Sequence, residues 1–419
     1  MTTNTDWIEP NSQRPSRRED FEIAIICALR FEFDAVASLF DQIYYGNSYG
    51  RAFGDHNHYT TGLIGKSNVV LVLLPAIGKV PAASAAASFR SSYTQIKLAL
   101  LVGICGGVPR TCSGKEILLG DVVISRQVVQ YDYGKQWPDG FVRQSDPLNS
   151  LSRPNQDIRG FVDSLQTGIH GKHLQDQTVK YLTWLRTEKD PDAYEYPGIS
   201  EDKLFEPNYR HKHYHPARCE ICEKCIHGLD PVCEQALVFS CIELHCDEHH
   251  LVTRERILSN QALLLSKQEL SSSNQPLALP NLALALSNQR LPEIKYYPIP
   301  DPEIHFGTIG SGDTVMRAAE VRDEISRRDN VIAFEMEGAG VWDNLSCIVV
   351  KGVCDYADSH KSKRWQNFAA ATAASTAKVL IEMYPKTDKH TSAAVPTWEG
   401  MSWLPKTLFF PFKRTHQPL

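Results

Sequence analysis

Ala333-Phe334-Glu335-Met336-Glu337-Gly338-Ala339 is the stretch on which the reading of this chain turns. Val331–Phe334 is a short apolar run of strand length, and it runs straight into two glutamates flanking a methionine. Gly338 and Ala339 then open a helical pattern. Acids at the C-terminal end of a strand stand where an α/β sheet presents its ligand chemistry. Eighteen residues past Glu337 the pattern returns, as the apolar run Cys347–Val353 ends in Cys354-Asp355-Tyr356-Ala357-Asp358. The expectation is two parallel strands with acid at each tip, a site that holds hydroxyls and moves a proton. Each segment alone reads equally well as a solvated loop; the pair favours a site.

Working outward, Phe21–Leu29 is a continuous apolar run, hence a buried strand, and Arg30–Phe40 follows with helical periodicity. Glu32 sits at that junction. It either complements the helix N-terminus, worth about 0.3–1 kcal/mol, or serves as a base at the mouth of the sheet; position alone favours the first. Val69–Leu74 is the next strand, leading through Gly78-Lys79-Val80 into an Ala- and Ser-rich helix, Ala82–Ser91. Gly78 before a helix suits an anion or hydroxyl at backbone N–H groups. Leu98–Val102 predicts a strand ending in Gly103-Ile104-Cys105-Gly106-Gly107, a tight turn or a close approach to the backbone. Asp121–Ser125 predicts a strand, and Gln130–Arg143 an aromatic and polar loop. After Pro302 the rhythm resumes with Ile304–Ile309, Gly310-Ser311-Gly312-Asp313 and a helix from Thr314 to about Arg327 capped by Asp313 or Thr314. A last Ala-rich helix spans Asn367–Tyr384.

The organisation expected is a disordered arm over residues 1–20, a catalytic domain over 21–144 plus 303–385, an inserted subdomain with a low-complexity tail over 145–302, and an aromatic linker or docking tail over 386–419. An unstructured loop as long as 145–302 is improbable inside one domain, hence the subdomain. The 419 residues are 42% apolar and 22% charged with a net charge of -5, which gives no global argument for a nucleic-acid surface. Val69–Ala87 is the nearest approach to a membrane span and is cut by Pro75, Gly78, Lys79 and Pro81. The N-terminus reads as polar, without a signal peptide, so a soluble cytoplasmic protein is expected.

Of eleven cysteines, six fall within Cys219–Cys246. Cys219, Cys222, Cys241 and Cys246 form two pairs suited to a structural zinc ribbon, with His245 or His249 as substitutes. The other reading is free thiols packing a small subdomain. The insert is placed either to lid the site or to cover a subunit edge, and the sequence leaves both open.

Taken in order, several motifs carry a resemblance. They are Ile23–Leu29 with Glu32, Gly78-Lys79-Val80, Gly103-Ile104-Cys105-Gly106-Gly107 and Gly120-Asp121-Val122-Val123, then Ser311-Gly312-Asp313, Glu335-Met336-Glu337 and Asp355-Tyr356-Ala357-Asp358. The chain resembles the purine nucleoside phosphorylase/nucleosidase superfamily, nearest to the methylthioadenosine/S-adenosylhomocysteine nucleosidase branch and its fungal relatives. The resemblance covers about half the chain. It implies an α/β fold with a central mixed, partly barrel-like sheet flanked by helices, cleavage of an N-ribosidic bond to a purine, and a homo-oligomer. It also implies that Glu337 binds the ribose 2′-hydroxyl, Met336 packs on the sugar and Glu335 reaches the ribose hydroxyl region. Asp355 would protonate N7 of the leaving purine and Glu32 would position or activate the attacking water. Gly106 and Val315 would line the base and sugar.

The chemistry agrees with those roles. Cleaving C1′–N9 builds positive charge on ribose and negative charge on purine; an acid at N7 relieves the second and carboxylates near the sugar stabilise the first. An acid that protonates N7 must hold a proton near neutral pH, which burial or a neighbouring carboxylate such as Asp358 would favour. Phosphorylases of the superfamily carry arginine and serine where this chain has Leu101 and Ile104. An apolar pair cannot hold a dianion, so hydrolysis is expected, with phosphorolysis as the alternative.

On the 5′ side, Arg110, Lys135, Arg143 and the run His360-Lys361-Ser362-Lys363-Arg364 offer cations, and Lys361 and Arg364 would contact a phosphorylated substrate. Fungal relatives of this type are N-terminal effector modules of immune-receptor-like proteins, and some cleave ATP. An adenine nucleotide is therefore the leading substrate, and no cofactor is required. The competing classes are a catalytically silent nucleoside sensor and an assembly protein acting through its C-terminal tail.

Overall fold

A computed structural model describes residues 14–46, 49–144, 151–216, 218–226, 230–262 and 299–385. Most of the N-terminal arm, the Leu/Ser/Asn/Gln-rich tail of the insert and the aromatic C-terminal segment lie outside the described residues.

The organising strand is β5 (Leu98–Gly107). Beside it runs β1 (Ile23–Cys27), all five of whose residues are buried because β4 (Ser67–Leu73) and β5 flank it in parallel. Two-sided burial explains why this segment is continuously apolar rather than alternating. β2 (Gln42–Ile43) and β3 (Tyr59–Ile64) extend that edge antiparallel, with Gly65 in the left-handed region at the β3–β4 turn. On the other side β5 pairs in parallel with β11 (Cys347–Asp355). β11 pairs antiparallel with β6 (Val122–Gln130), β6 in parallel with β9 (Ile304–Ser311), and β9 in parallel with β10 (Val331–Glu335). β10 then returns to β5, with Ala333 opposite Gly107 and Phe334 opposite Gly106. The loop β5–β11–β6–β9–β10 closes as a barrel inside the larger mixed sheet.

The structure corrects three expectations. The two acid-tipped strands are not parallel neighbours: β11 runs with β5 and β10 against it. Both tips nevertheless meet one residue, since Gly106 is opposite Phe334 on one side and Asp355 on the other. The glycine stretch is strand rather than turn, because β11 and β10 keep supplying backbone partners as far as Gly107. The stretch read as an aromatic loop contains a hairpin, β7 (Gly134–Trp137) and β8 (Gly140–Arg143), joined through Pro138-Asp139. Pro-Asp-Gly is a turn signal in its own right.

Helices cover the sheet. α1 (Arg30–Ser38) follows β1 and α2 (Lys79–Ser92) follows β4. α3 (Gln156–Ser164) is capped by the Asn155 side chain, which accepts the Ile158 N–H at 2.8 Å, and α4 (Gly168–Trp184) packs on the terminal helix. α5 (Glu220–Lys224) is a single short turn among the cysteines. α6 (Ala319–Asp329) starts later than expected. Its presumed caps are engaged elsewhere: the Asp313 carboxylate accepts the Lys79 N–H at 2.8 Å, and the Thr314 carbonyl accepts the Tyr131 hydroxyl at 2.7 Å. α7 (Gly338–Trp342) follows β10, and α8 (Gln366–Met383) is buried almost all round. Its alanines let it lie against β11 so closely that a Cβ on Gly352 would overlap the Ala369 backbone.

Candidate active site

Lys351 lies in the middle of β11 and is 1% exposed. A lysine in a buried strand needs anionic partners. Its ammonium is 3.3 Å from Glu337 Oε2 and 3.9 Å from Glu335 Oε2. Burial alone would lower the Lys351 value, but the Glu337, Glu32 and Glu335 carboxylates outweigh it and hold the ammonium above the usual lysine range. Three glutamates thus converge on one lysine. Sequence reasoning missed Lys351 by treating Cys347–Val353 as uniformly apolar. The signal was there: one charged residue inside an otherwise apolar strand.

Each glutamate is also fixed by backbone donors. Glu32 Oε2 accepts the N–H groups of Ala28 and Leu29 at 3.0 and 2.9 Å, and Oε1 accepts that of Ile104 at 2.8 Å. It therefore performs the capping role while standing within the electrostatic reach of Lys351. Burial pushes its carboxyl up, and Lys351 and these N–H groups pull it back. Glu335 accepts the Glu337 and Gly338 N–H groups, so it caps α7; burial raises it as well, opposed by Lys351. Glu337 Oε1 accepts the Gly78 N–H at 3.2 Å. The anion expected at Gly78 is thus a carboxylate of the chain itself.

The glycines of β5 make room for these acids. A Cβ on Gly103 would overlap the Glu32 carboxylate, and one on Gly106 would stand 2.8 Å from Asp355 Oδ1. The close approach predicted for this stretch is made by side chains from α1 and β11.

Asp355 ends β11 at the same place. Its Oδ1 accepts the Ala357 N–H at 2.8 Å and lies 3.0 Å from the Lys361 ammonium. Asp358 is buried, not a surface residue; burial raises it, with His360 and Arg322 opposing. The basic run divides: Lys361 faces Asp355, Arg364 pairs with Glu201 at 3.2 Å, and the His360 ring turns into the insert. Of the other cations, Arg110 pairs with Glu116 and Arg143 with Asp329. Met336 is half-buried between the two glutamates, and Val315 is 48% exposed. Leu101 is buried, and Ile104 presents its N–H to Glu32.

A second tier supports the rim. The Lys79 ammonium is 2.7 Å from Asp132, whose other oxygen accepts the Asp313 N–H at 2.8 Å. The Ala339 N–H donates to the Ser311 hydroxyl at 2.9 Å. The Tyr131–Asp132 segment, the Ser311–Asp313 segment and the start of α2 are thereby locked around Glu337. The insert packs against the Asp355 loop: the Tyr356 hydroxyl donates to Asp202 at 2.6 Å and His360 Nε2 is 3.1 Å from the Tyr209 carbonyl.

The four cysteines expected to form one metal set do not come together. Cys219 and Cys222 stand with His213 and Cys233, whereas Cys241 and Cys246 stand with His211 and His360. The partners missing from that expectation were Cys233, His211 and His213 just before the cysteines, and His360 on the Asp355 loop. No helix among the described residues is long and apolar enough to cross a membrane.

A family model described as the phosphorylase superfamily matches residues 22–159. A nucleotide-binding leucine-rich repeat (NLR)-like protein of Hyaloscypha variabilis is 28% identical over 376 residues, which cover 88% of this chain and 30% of that protein. A 5′-methylthioadenosine/S-adenosylhomocysteine nucleosidase of Mycobacterium bovis is 28% identical over 89 residues, 20% of this chain and 35% of that enzyme. The chain thus spans about a third of the length of these curated relatives. Among solved structures, futalosine hydrolase of Helicobacter pylori is 14% identical with a TM-score of 0.43, covering 87% of this chain and 98% of that one.

Proposed function

We propose, from the match of residues 22–159 to a model of the phosphorylase superfamily, that the chain is a nucleosidase hydrolysing the N-ribosidic bond of a purine nucleoside or nucleotide, with an adenine nucleotide as the favoured substrate. The observation that carries the hydrolytic reading is the Lys351 cluster. Three buried acids surround one buried cation, so the cluster holds an excess of carboxylates. A phosphate dianion placed there would meet carboxylates whose lysine is already engaged, and uncompensated burial of such charge is costly. The same excess of negative charge suits a ribose that becomes cationic as its bond to the base breaks. The matched segment of the mycobacterial nucleosidase supports the same reading.

In this reading Glu337, held by Lys351 and the Gly78 N–H, takes the ribose 2′-hydroxyl. Water adds to C1′ as the C1′–N9 bond breaks. Glu32 receives the water's proton, its basicity raised by burial, and Asp355 gives a proton to N7 of the departing purine. A carboxylate paired with an ammonium only accepts, so before Asp355 can give a proton to N7 it must part from Lys361 and take up a proton from solvent. A 5′-phosphorylated substrate supplies the means: its phosphates draw Lys361 away and release Asp355. That exchange is the physical argument for a nucleotide over a nucleoside.

The test is chromatography of the purified chain incubated with adenosine, methylthioadenosine, AMP and ATP, with and without phosphate. Adenine from the nucleotides without phosphate is the expected result. Base released only in the presence of phosphate would overturn hydrolysis. No base from any of the four would replace the enzyme by a nucleoside-binding module.

A further inference from the structure

His211 and His213 stand two residues apart, and each belongs to a different constellation of four. His213 joins Cys219, Cys222 and Cys233; His211 joins Cys241, Cys246 and His360. Within each set the donor atoms all lie within 4.8 Å of one another.

The separations match a tetrahedral metal. Zinc–sulfur bonds of about 2.3 Å and zinc–nitrogen bonds of about 2.05 Å place two sulfurs about 3.8 Å apart, and a sulfur and a nitrogen about 3.6 Å apart. Cys222 Sγ and Cys233 Sγ are separated by 3.8 Å. His213 Nδ1 is 3.6 Å from Cys222 Sγ and 3.4 Å from Cys233 Sγ, and His360 Nδ1 is 3.5 Å from Cys241 Sγ. A disulfide would need sulfurs at about 2.05 Å, and these cysteines are free.

Ring orientation is an independent sign. His360 Nε2 is 3.1 Å from the Tyr209 carbonyl, and His211 Nδ1 is 3.0 Å from the Ala236 carbonyl. Each ring donates its N–H to a carbonyl and leaves its other nitrogen unprotonated as a ligand. Such carbonyl partners are the usual outer support of metal-bound histidine. Stacking of His360 on Phe205, with ring centroids 4.2 Å apart, holds the ring in that plane.

We propose that the insert holds two structural divalent cations of the zinc class, one bound by Cys219, Cys222, Cys233 and His213, the other by Cys241, Cys246, His211 and His360. All four positions of each site come from the protein, which marks them as structural rather than catalytic. Binding deprotonates the thiols and releases their protons to solvent. His360 lies five residues beyond Asp355 on the same loop, so the second ion ties the insert to the segment that carries Asp355.

The experiment uses the full chain, purified from zinc-supplemented medium without a chelating tag. Elemental analysis is expected to find about two zinc ions per chain, and titration of the thiols with a mercurial should release both to a colorimetric chelator. His360→Ala should retain about one zinc, and Cys222→Ser about one. After cobalt exchange, each variant should lose part of the tetrahedral d–d absorption and of the sulfur-to-cobalt charge transfer. A folded parent chain carrying no zinc, with a melting temperature indifferent to zinc and to chelator, would overturn both sites. His360→Ala that retains both ions would overturn the tether. Should either variant fail to fold, metal release from the parent chain still decides.

Discussion

The Lys351 ammonium stands 3.3 Å from Glu337 Oε2, and both groups are withdrawn from solvent. Glu335 lies 3.9 Å from the same ammonium, and Glu32 adds a third negative charge within reach. The charge balance of these three glutamates rests on Lys351.

Replacing it is the first prediction. Lys351→Met leaves buried carboxylates uncompensated, and removing one partner of a buried pair costs about 3–5 kcal/mol. Urea unfolding at neutral pH is expected to show a loss of that size. The pH dependence has a definite sign. Glu32 and Glu335 are raised in the folded chain, so the native state binds their protons more readily than the unfolded state. Their contribution is fully present below the unfolded carboxylate range and is lost as pH rises through the folded values. Without the ammonium those values rise further, so the variant should recover stability on acidification relative to the parent. A variant as stable as the parent at neutral pH would refute the balance described.

Glu335, Glu337 and Asp355 were legible because each acid follows an apolar run, and burial periodicity is a local signal. The relation between their strands was not. That β10 runs against β5 while β11 runs with it follows from barrel closure, a pairing between segments more than two hundred residues apart. The purpose of the β5 glycines was half legible: close approach was foreseen, but not that Glu32 and Asp355 make it. The Cys-x-x-Cys and Cys-x4-Cys pairs announced themselves, while the histidines that divide them between two sets did not. His360 hid inside what reads as a basic run. Lys351 hid because a single charge does little to the average of an apolar strand.

Gly106 tests whether the site needs its missing side chain. A Cβ there would stand 2.8 Å from Asp355 Oδ1 and 2.9 Å from the Ala357 Cβ. Gly106→Ala is expected to cost about 1–3 kcal/mol, as overpacking does. Displacing Asp355 should lower base release about 100-fold. A thermal melt and a base-release assay on the same preparation check both. Unaltered turnover would mean that Asp355 is not held by this contact.

Asp202 supplies a pH-dependent contact between insert and catalytic loop. It accepts the Tyr356 hydroxyl at 2.6 Å and the Leu119 N–H at 3.0 Å, and burial pushes it up to about 6 against the pull of those two donors. A raised acid stabilises the fold below its unfolded value near 3.9, and that contribution fades as pH rises towards 6. Over that window the parent should lose about 3 kcal/mol relative to Asp202→Asn, whose side chain does not titrate. Urea midpoints at pH 4, 5, 6 and 7 measure the difference. Parallel curves would show that Asp202 titrates alike in the folded and unfolded chain.

Asp355 and Lys361 separate the two halves of the functional reading. Asp355→Asn keeps an acceptor for the Ala357 N–H but cannot deliver a proton. Base release should fall by about 10²–10⁴-fold while substrate binding persists. Lys361→Met removes the ammonium 3.0 Å from Asp355. If nucleotide phosphates take that ammonium, the variant should bind ATP about tenfold more weakly and cleave adenosine at least as fast as the parent, because Asp355 is already released. Equal loss on adenosine and ATP would assign Lys361 to holding the loop instead, and would leave nucleotide preference without its physical basis.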